Sequence, residues 1–399
     1  MRILLTSETY LPYLSGVTVS VDALARGLGA RGHEVLVLAP RPGGSRRPEG
    51  VGSPGPEPGY AWLPSYLLPR IVPEGYRMPI PLPWTDAMAD ARRFAPQVVH
   101  AHSPFVTGLL ARRQARAAGA PLVFTHHTRF ADYGHYLGPL AGPGAALADA
   151  YLARFWTACA AVIAPSTDLA VEIRARMQAP TPMHDRVHVI PTGVDVAAIG
   201  ALPGLDPRPA AGWPADAIVV ATLGRLAPEK SPMTILEAVA RAADRVPLLR
   251  LDVIGGGPSE GELRERASRP DLAGRVQFTG GLPRTDALAR LAGADLFAFA
   301  SRTETQGLVL AEALAAGLPA VAVDGPGVRD SVRDGIDGTV VPAAPAESRA
   351  GRLADALVEL ALDASRRAEM AARARGDAAR FAVEGRVAET EAVYRSLLG

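Results

Sequence analysis

Short apolar runs recur along the chain, each followed by a stretch in which apolar positions return at helical spacing. Arg2-Ile-Leu-Leu5 is the first run; Val17 to Arg31 has helical spacing and stops at Gly32; Glu34-Val-Leu-Val-Leu-Ala39 is apolar again. Strand, helix and strand in that order predict a βαβ unit, and therefore a parallel sheet. Val98-Val-His-Ala-His102, Leu122-Val-Phe-Thr-His126 and Ala161-Val-Ile-Ala164 continue as strands, the first two ending in polar residues. Between Pro40 and Pro83, Pro and Gly are dense, and that stretch is expected to be mostly loop. The pattern restarts after Pro191-Thr-Gly-Val-Asp195. Ala217–Leu223, Leu249–Ile254, Val276–Phe278, Leu296–Phe299 and Pro319–Val323 are its strands, and from Ser348 onward the chain is Ala/Arg/Glu-rich and helical.

Two successive series joined near residue 195 predict two doubly wound α/β domains facing across a cleft. In such sheets ligands bind beyond the carboxyl ends of the strands, so the cleft is the expected site. Length agrees, since 399 residues are too many for one ordinary core and suggest two domains of about 200 residues. A hydrophobic content of 48% with 21% charged residues is that of a globular protein. The single Cys159 rules out an internal disulfide framework and fits a reducing compartment. Glu8 interrupts the apolar start where a signal peptide would need it to continue, and no apolar run approaches the ~20 residues needed to span a bilayer. A soluble, cytoplasmic protein is expected. Net charge is +1, divided as +4 over residues 1–195 and −3 over residues 196–399. That mild basicity is far from the dense patch of a nucleic-acid binder.

One lysine, Lys230, stands among the 42 cationic Lys and Arg residues. It lies in Gly224-Arg-Leu-Ala-Pro-Glu-Lys-Ser231, five residues after Arg225 and just past an apolar run. Lys is a compact point charge suited to phosphate oxygens, whereas Arg is a planar fork, so the pair reads as a diphosphate clamp. The second constellation is Glu304-Thr-Gln-Gly-Leu-Val-Leu-Ala-Glu312, which runs from a buried strand into an Ala-rich helix. Gly307 permits close backbone approach, and the amides of Gly307, Leu308 and Val309 form a helix N-terminus open to an anion. Glu304 falls in the loop and Glu312 about one turn inside the helix. Acidic residues gather at helix N-termini through the macrodipole alone, so the two glutamates by themselves would be structural. Beside Arg225 and Lys230 they suit a diphosphate set between hydroxyl-rich groups, which is a nucleotide sugar.

These residues carry a family resemblance. Glu304 and Glu312 match the E-x7-E signature of retaining glycosyltransferases of the GT4 type, which have the GT-B fold. Gly224-Arg-Leu-x-x-x-Lys230 is similar to that family's donor-diphosphate motif, and Pro12-Tyr-Leu-Ser-Gly-Val17 resembles its N-terminal glycine loop. The resemblance covers essentially the whole chain. It implies an acceptor-binding Rossmann-like domain at 1–190, with 381–399 packing back on it, and a nucleotide-sugar-binding domain at 191–380. Arg225 and Lys230 would then hold the diphosphate, Glu304 the sugar hydroxyls and Glu312 the ribose. The amides after Gly307, with that of Gly16, would complete the cradle. Same-face attack with the leaving phosphate taking the acceptor proton is implied, since no carboxylate nucleophile stands out. The chain has no Asp-x-Asp, so no metal or other cofactor is expected.

His126-His-Thr-Arg-Phe-Ala-Asp-Tyr-Gly-His-Tyr136 holds three histidines, a poor zinc pattern without a nearby Cys. The resemblance assigns His127 to the transferred sugar or the acceptor, and His102, at the end of the preceding strand, is expected as its neighbour on the acceptor side. Gly255-Gly-Gly-Pro258 lacks G-x-G-x-x-G spacing and reads as a tight turn. Phe124 to Tyr136 and Glu304 to Leu308 look closest to diacylglycerol glucosyltransferases, which implies UDP-glucose as donor and a lipid hydroxyl as acceptor. Peripheral contact with the inner face of the membrane follows through Tyr66 to Val72, Tyr76 to Trp84 and the basic Leu109–Arg116. Basic helix faces are also commonly just solvated. The alternatives are a soluble acceptor such as a phosphoinositol or small metabolite, GDP-mannose as donor, a nucleotide-sugar epimerase, and a non-enzymatic nucleotide-sugar sensor. Intact Glu304, Arg225 and Lys230 argue against the last.

Overall fold

The computed structural model describes residues 1–43, 55–67, 76–82, 84–129, 141–177 and 185–399. Their contacts divide the chain into two compact units, Met1–Asp195 with Val383–Gly399, and Val196–Ala382.

The first unit contains β1 (Arg2–Thr6), β2 (Glu34–Pro40), β3 (Gly59–Leu63), β4 (Ser65–Leu67), β5 (Arg77–Pro79), β6 (Val98–Ala101), β7 (Leu122–Thr125), β8 (Ala161–Ala164) and β9 (Val187–Val189). Seven of these form one sheet in the order β3-β2-β1-β6-β7-β8-β9, every neighbouring pair parallel. β4 and β5 form a separate antiparallel pair. Both faces of the sheet are covered: Ile3, Leu5, Val37 and Ala39 pack on one side, Leu4 and Leu38 on the other. Burial on two faces is why these strands read as unbroken apolar runs.

β3 corrects the expectation of loop between Pro40 and Pro83. It pairs with β2 from Leu36↔Gly59 to Pro40↔Leu63. Its alternation is plain once located, with Ala61 and Leu63 buried and Tyr60 stacked on Trp62 at 4.9 Å. Pro58 and Pro64 stand just outside it, where missing amides cost an edge strand nothing.

The second unit contains β10 (Ile218–Leu223), β11 (Leu249–Ile254), β12 (Val276–Gly280), β13 (Leu296–Phe299), β14 (Ala320–Val323) and β15 (Gly338–Val341), all parallel, in the order β12-β11-β10-β13-β14-β15. β9 and β15, like β3, are additions to the sequence pattern. Each unit is thus a doubly wound α/β domain.

The helix Val383–Leu398 belongs to the first unit and places Val387, Val393 and Tyr394 in the core with Ile3, Leu5 and Val21. Its buried Glu391 is held by Arg31, by Arg395 and by His33 Nε2 at 3.1 Å. Among the described residues no helix is long and apolar enough to cross a membrane.

Candidate functional site

In each sheet the strand order reverses beside the first strand, between β1 and β6 in one unit and between β10 and β13 in the other. Crevices at the carboxyl ends of the strands open at such reversals. The residues singled out from sequence gather at these two places.

In the second unit, β10 leads through Gly224 to Arg225 and then to the 3-10 turn Pro228–Lys230. β13 leads through Ser301 to Glu304 and on to the helix Leu308–Ala315. The two exits meet. Lys230 Nζ donates to Glu304 Oε1 at 2.6 Å, across 74 residues of sequence, and both side chains keep partial exposure. Thr303 Oγ1 donates to the Glu229 carbonyl at 3.3 Å, and the nearly buried Glu229 carboxylate pairs with Arg225. Gly307 sits at φ +74°, a left-handed conformation that disfavours other residues, and its carbonyl accepts from the Leu310 amide at 2.8 Å. Gly307, the residue before this helix, has no side chain to cap it. The amides of Leu308 and Val309, both on half-buried residues, start the helix at its positive end.

Glu312 is placed differently from Glu304. It is 3% exposed, and its carboxylate pairs with Arg284 from the helix Arg284–Ala292. Sequence reasoning gave no role to Arg284, because the two residues lie 28 apart on different helices.

The Gly255-Gly-Gly run also acquires a physical reason. A Cβ on Gly255 would stand 2.1 Å from the Gly224 carbonyl oxygen, and one on Gly257 would stand 2.4 Å from that of Leu226. The exit of β11 thus lies directly on the segment that presents Arg225, and the Leu226 amide donates to the Gly256 carbonyl at 3.0 Å.

In the first unit, Gly16 opens the helix Gly16–Ala30, which Ser15 and Thr18 cap reciprocally. A Cβ on Gly16 would meet nothing within 4 Å, so packing within the chain does not demand glycine there. Glu8, noted in the sequence only as a charge, is buried and accepts from the amides of Val106 and Thr107 at 3.1 and 3.2 Å and from Thr107 Oγ1 at 2.8 Å. It caps the helix Val106–Ala118. That helix exposes Phe105, Leu109, Arg113 and Arg116 along one side, and Tyr66, Leu67 and Trp84 are exposed elsewhere in the unit. Residues 68–72 and Pro83 of the segments expected at a membrane lie outside the described residues.

Four histidines cluster at the ends of β6 and β7. His100 Nδ1 meets the Tyr394 hydroxyl at 2.5 Å and its Nε2 meets Thr125 Oγ1 at 2.7 Å. His102 Nδ1 lies 2.8 Å from His127 Nε2. Trp156 Nε1–H, which can only donate, reaches His126 Nδ1 at 3.3 Å, so His126 carries its proton on Nε2. Burial lowers His127 to about 4, and burial with the neighbouring His127 ring lowers His100 and His126 to about 3. His102 falls well below the ordinary value through burial and the flanking His100 and His127. All four are neutral at neutral pH, each with one donor and one acceptor nitrogen. Among the described residues no group of His, Cys, Asp or Glu is arranged to hold a metal ion. Asp132, His135 and Tyr136 lie outside the described residues.

Residues 14–198 match the family described as Glycosyltransferase Family 4, and residues 206–377 match the Glycosyl transferases group 1. The chain is 30% identical over 332 residues to an alpha-monoglucosyldiacylglycerol synthase of Acholeplasma laidlawii, covering 80% of each protein. It is 31% identical over 339 residues to a GDP-mannose-dependent alpha-mannosyltransferase of Mycolicibacterium smegmatis, covering 83% of this chain and 82% of that one. Its fold is similar to that of Anabaena HepE, solved in complex with UDP and glucose, with a TM-score of 0.72 at 20% identity over 99% of this chain and 100% of that one.

Proposed function

The chain belongs to the family 4 and group 1 glycosyltransferases of GT-B fold, and from that premise we propose a retaining hexosyltransferase that moves glucose from UDP-glucose to the hydroxyl of a lipid such as diacylglycerol. The observation that carries this reading is the meeting of Lys230 and Glu304 in the two strand exits, the second of which runs into the N-terminus of the helix Leu308–Ala315. A cation and aligned amides suit a diphosphate, and a carboxylate 2.6 Å from the cation suits the hydroxyls of the sugar attached to it.

In this reading Lys230, Arg225 and the amides of Gly307, Leu308 and Val309 take up the charge that grows on the departing nucleotide. Glu304 orients the sugar. Glu312, held by Arg284, sets the start of the helix and accepts from the ribose. The Gly16 amide adds a phosphate contact, and His127 meets the transferred sugar or the acceptor. The acceptor oxygen attacks the anomeric carbon on the face the phosphate leaves, and the phosphate oxygen takes the acceptor proton. Charge compensation by these cations and dipoles makes a divalent cation unnecessary, so EDTA should leave turnover intact.

Glucose and diacylglycerol are supported by the Acholeplasma relative. The exposed Phe105, Leu109, Arg113 and Arg116 would rest on anionic lipid at the inner face of the membrane. GDP-mannose is the second reading, supported by the Mycolicibacterium relative at 31% identity. Thermal stability against UDP-glucose, UDP-galactose and GDP-mannose separates the donors, since a ligand at about 100 times its dissociation constant adds about 2.7 kcal/mol. The stabilising donor is then assayed with diacylglycerol vesicles and with soluble inositol phosphates. Transfer to vesicle lipid from UDP-glucose is expected; transfer only to the soluble acceptors would overturn the lipid assignment.

A further inference from the structure

The contact between His102 and His127 has a consequence for the reaction. It rests on the transferase reading for its kinetic meaning and on geometry alone for its structural one. The His102 ring is 4% exposed, lies between the rings of His100 at 4.2 Å and His127 at 5.1 Å, and is fixed at its backbone by the His102 amide donating to the Thr6 carbonyl. His100 has both nitrogens engaged, by Tyr394 and Thr125. His102 Nε2 is buried and has no hydrogen-bond partner among the described residues.

Two neutral imidazoles joined by one hydrogen bond share one proton at the contact, and each choice fixes both tautomers. If His127 Nε2–H donated, His102 would have to carry its own proton on Nε2, leaving a buried N–H with no acceptor. Orphaned buried N–H groups are among the rarest features of folded proteins, rarer than acceptors left short of a donor. The opposite arrangement leaves only a bare lone pair there. We propose that His102 is a positioning residue whose Nδ1–H donates to His127 Nε2, holding His127 as the Nδ1–H tautomer in one ring orientation.

His127 Nε2 is then spent as an acceptor, and the remaining polar hydrogen of His127 is Nδ1–H. With Nε2 engaged and Nδ1 protonated, His127 has no lone pair left with which to abstract the acceptor proton. This agrees with a reaction in which the leaving phosphate takes that proton. The burial that lowers both histidines keeps the pair neutral, as the shared proton requires.

The test reads tautomers directly. Long-range 1H–15N spectra of the full chain labelled at histidine, with signals assigned through His102 and His127 substitutions, should show His127 as Nδ1–H. In His102→Leu the His127 signal should move toward Nε2–H, the form favoured by free imidazole side chains. His102→Asn, whose amide falls near the Nδ1 position, should restore Nδ1–H. With UDP-glucose and diacylglycerol vesicles, His102→Leu should lower kcat by about 10²-fold while the donor KM holds. His102→Asn should recover most of that loss, whereas His102→Gln, whose amide falls near Nε2, should not. His127 found as Nε2–H in the unaltered chain overturns the proposal. So does rescue by Gln with failure of Asn, which would make Nε2 the working atom. If the Leu variant does not fold, the Asn and Gln pair still decides. Absence of transfer from any donor would count against the transferase reading, and the spectra would still judge this one.

Discussion

Lys230 and Glu304 are each other's counter-ion at 2.6 Å, which makes opposite predictions for the two halves of a nucleotide sugar. Lys230→Ala removes the diphosphate's point charge and should cost on the order of 10²–10³-fold in kcat/KM. Its effect on stability should stay within about 1 kcal/mol, because the pair is partly exposed. Lys230→Arg keeps the charge and alters its geometry, so recovery short of the lysine value is expected. Glu304→Gln frees Lys230 from a competing carboxylate. UDP alone should then bind up to about fivefold tighter, the equivalent of one exposed ion pair, while turnover of UDP-glucose falls. Calorimetric titration with UDP checks this; weaker binding of UDP to Glu304→Gln would show that the pair does not compete with the diphosphate. Each of these residues was legible as a motif. Their contact was not, since it is made by two strand exits brought together by the pairing of β10 with β13. The same applies to Arg284 with Glu312, partners that spacing along one element cannot reveal, whereas His102 was expected beside His127 from its place at the end of the preceding strand.

The helix Leu308–Ala315 shows how an element was read correctly for a reason that sequence could supply. Gly307 precedes an apolar run, and the structure gives it φ +74° at the start of the helix. Gly307→Ala should strain this turn by about 1–2 kcal/mol. A Cβ there would also press on Leu310 Cδ1 at 3.2 Å and Phe299 Cζ at 3.4 Å. In a unit of this size that lowers Tm by roughly 2–8 °C, and donor binding should weaken as the Leu308 and Val309 amides shift. A thermal melt with and without UDP separates the two effects; an unchanged response to UDP would detach the amides from the site. The strands β1, β2, β6 to β8, β10, β11, β13 and β14 were legible because burial on both faces writes them as apolar runs, whereas β12, half-buried at the sheet's edge, showed only Val276 and Phe278. β3 was hidden among prolines, and its alternation of Tyr60 and Trp62 with Ala61 and Leu63 is too short to stand out. β15 was hidden because it begins at a glycine after a turn organised by Asp334 and Asp337, whose carboxylates accept from the Val340 and Arg333 amides.

At the scale of the whole molecule, all eight histidines lie between residues 33 and 188, within the first unit, and the second has none. Burial lowers His100 and His126 to about 3 and His127 to about 4, and it carries His102 well down too. Above the ordinary value of 6.5 these groups are neutral whether the unit is folded or not. Below it the unfolded chain takes up protons that the folded unit refuses until the pH reaches the lowered values. Stability present at neutral pH is therefore lost as pH falls from about 6.5 towards 4, by several kcal/mol per pH unit if three or four of the groups respond together. Glu391 works in a lower window. Burial raises its pKa, but Arg31, Arg395 and His33 outweigh that and take it to about 2. The stability it lends is held above the ordinary 4.5 and lost as pH falls through about 2, so it does not cause the earlier loss. The expected result is selective acid unfolding. Urea melts at about pH 7 and about pH 5 should shift the first unit to much lower midpoints and leave the second nearly unmoved. Trp213 reports the second unit, and Trp62, Trp84 and Trp156 report the first in a Trp213→Phe background. Equal shifts in both would mean that the histidine cluster is not the acid-sensitive element, and would undercut the neutral, tautomer-locked pairing of His102 with His127.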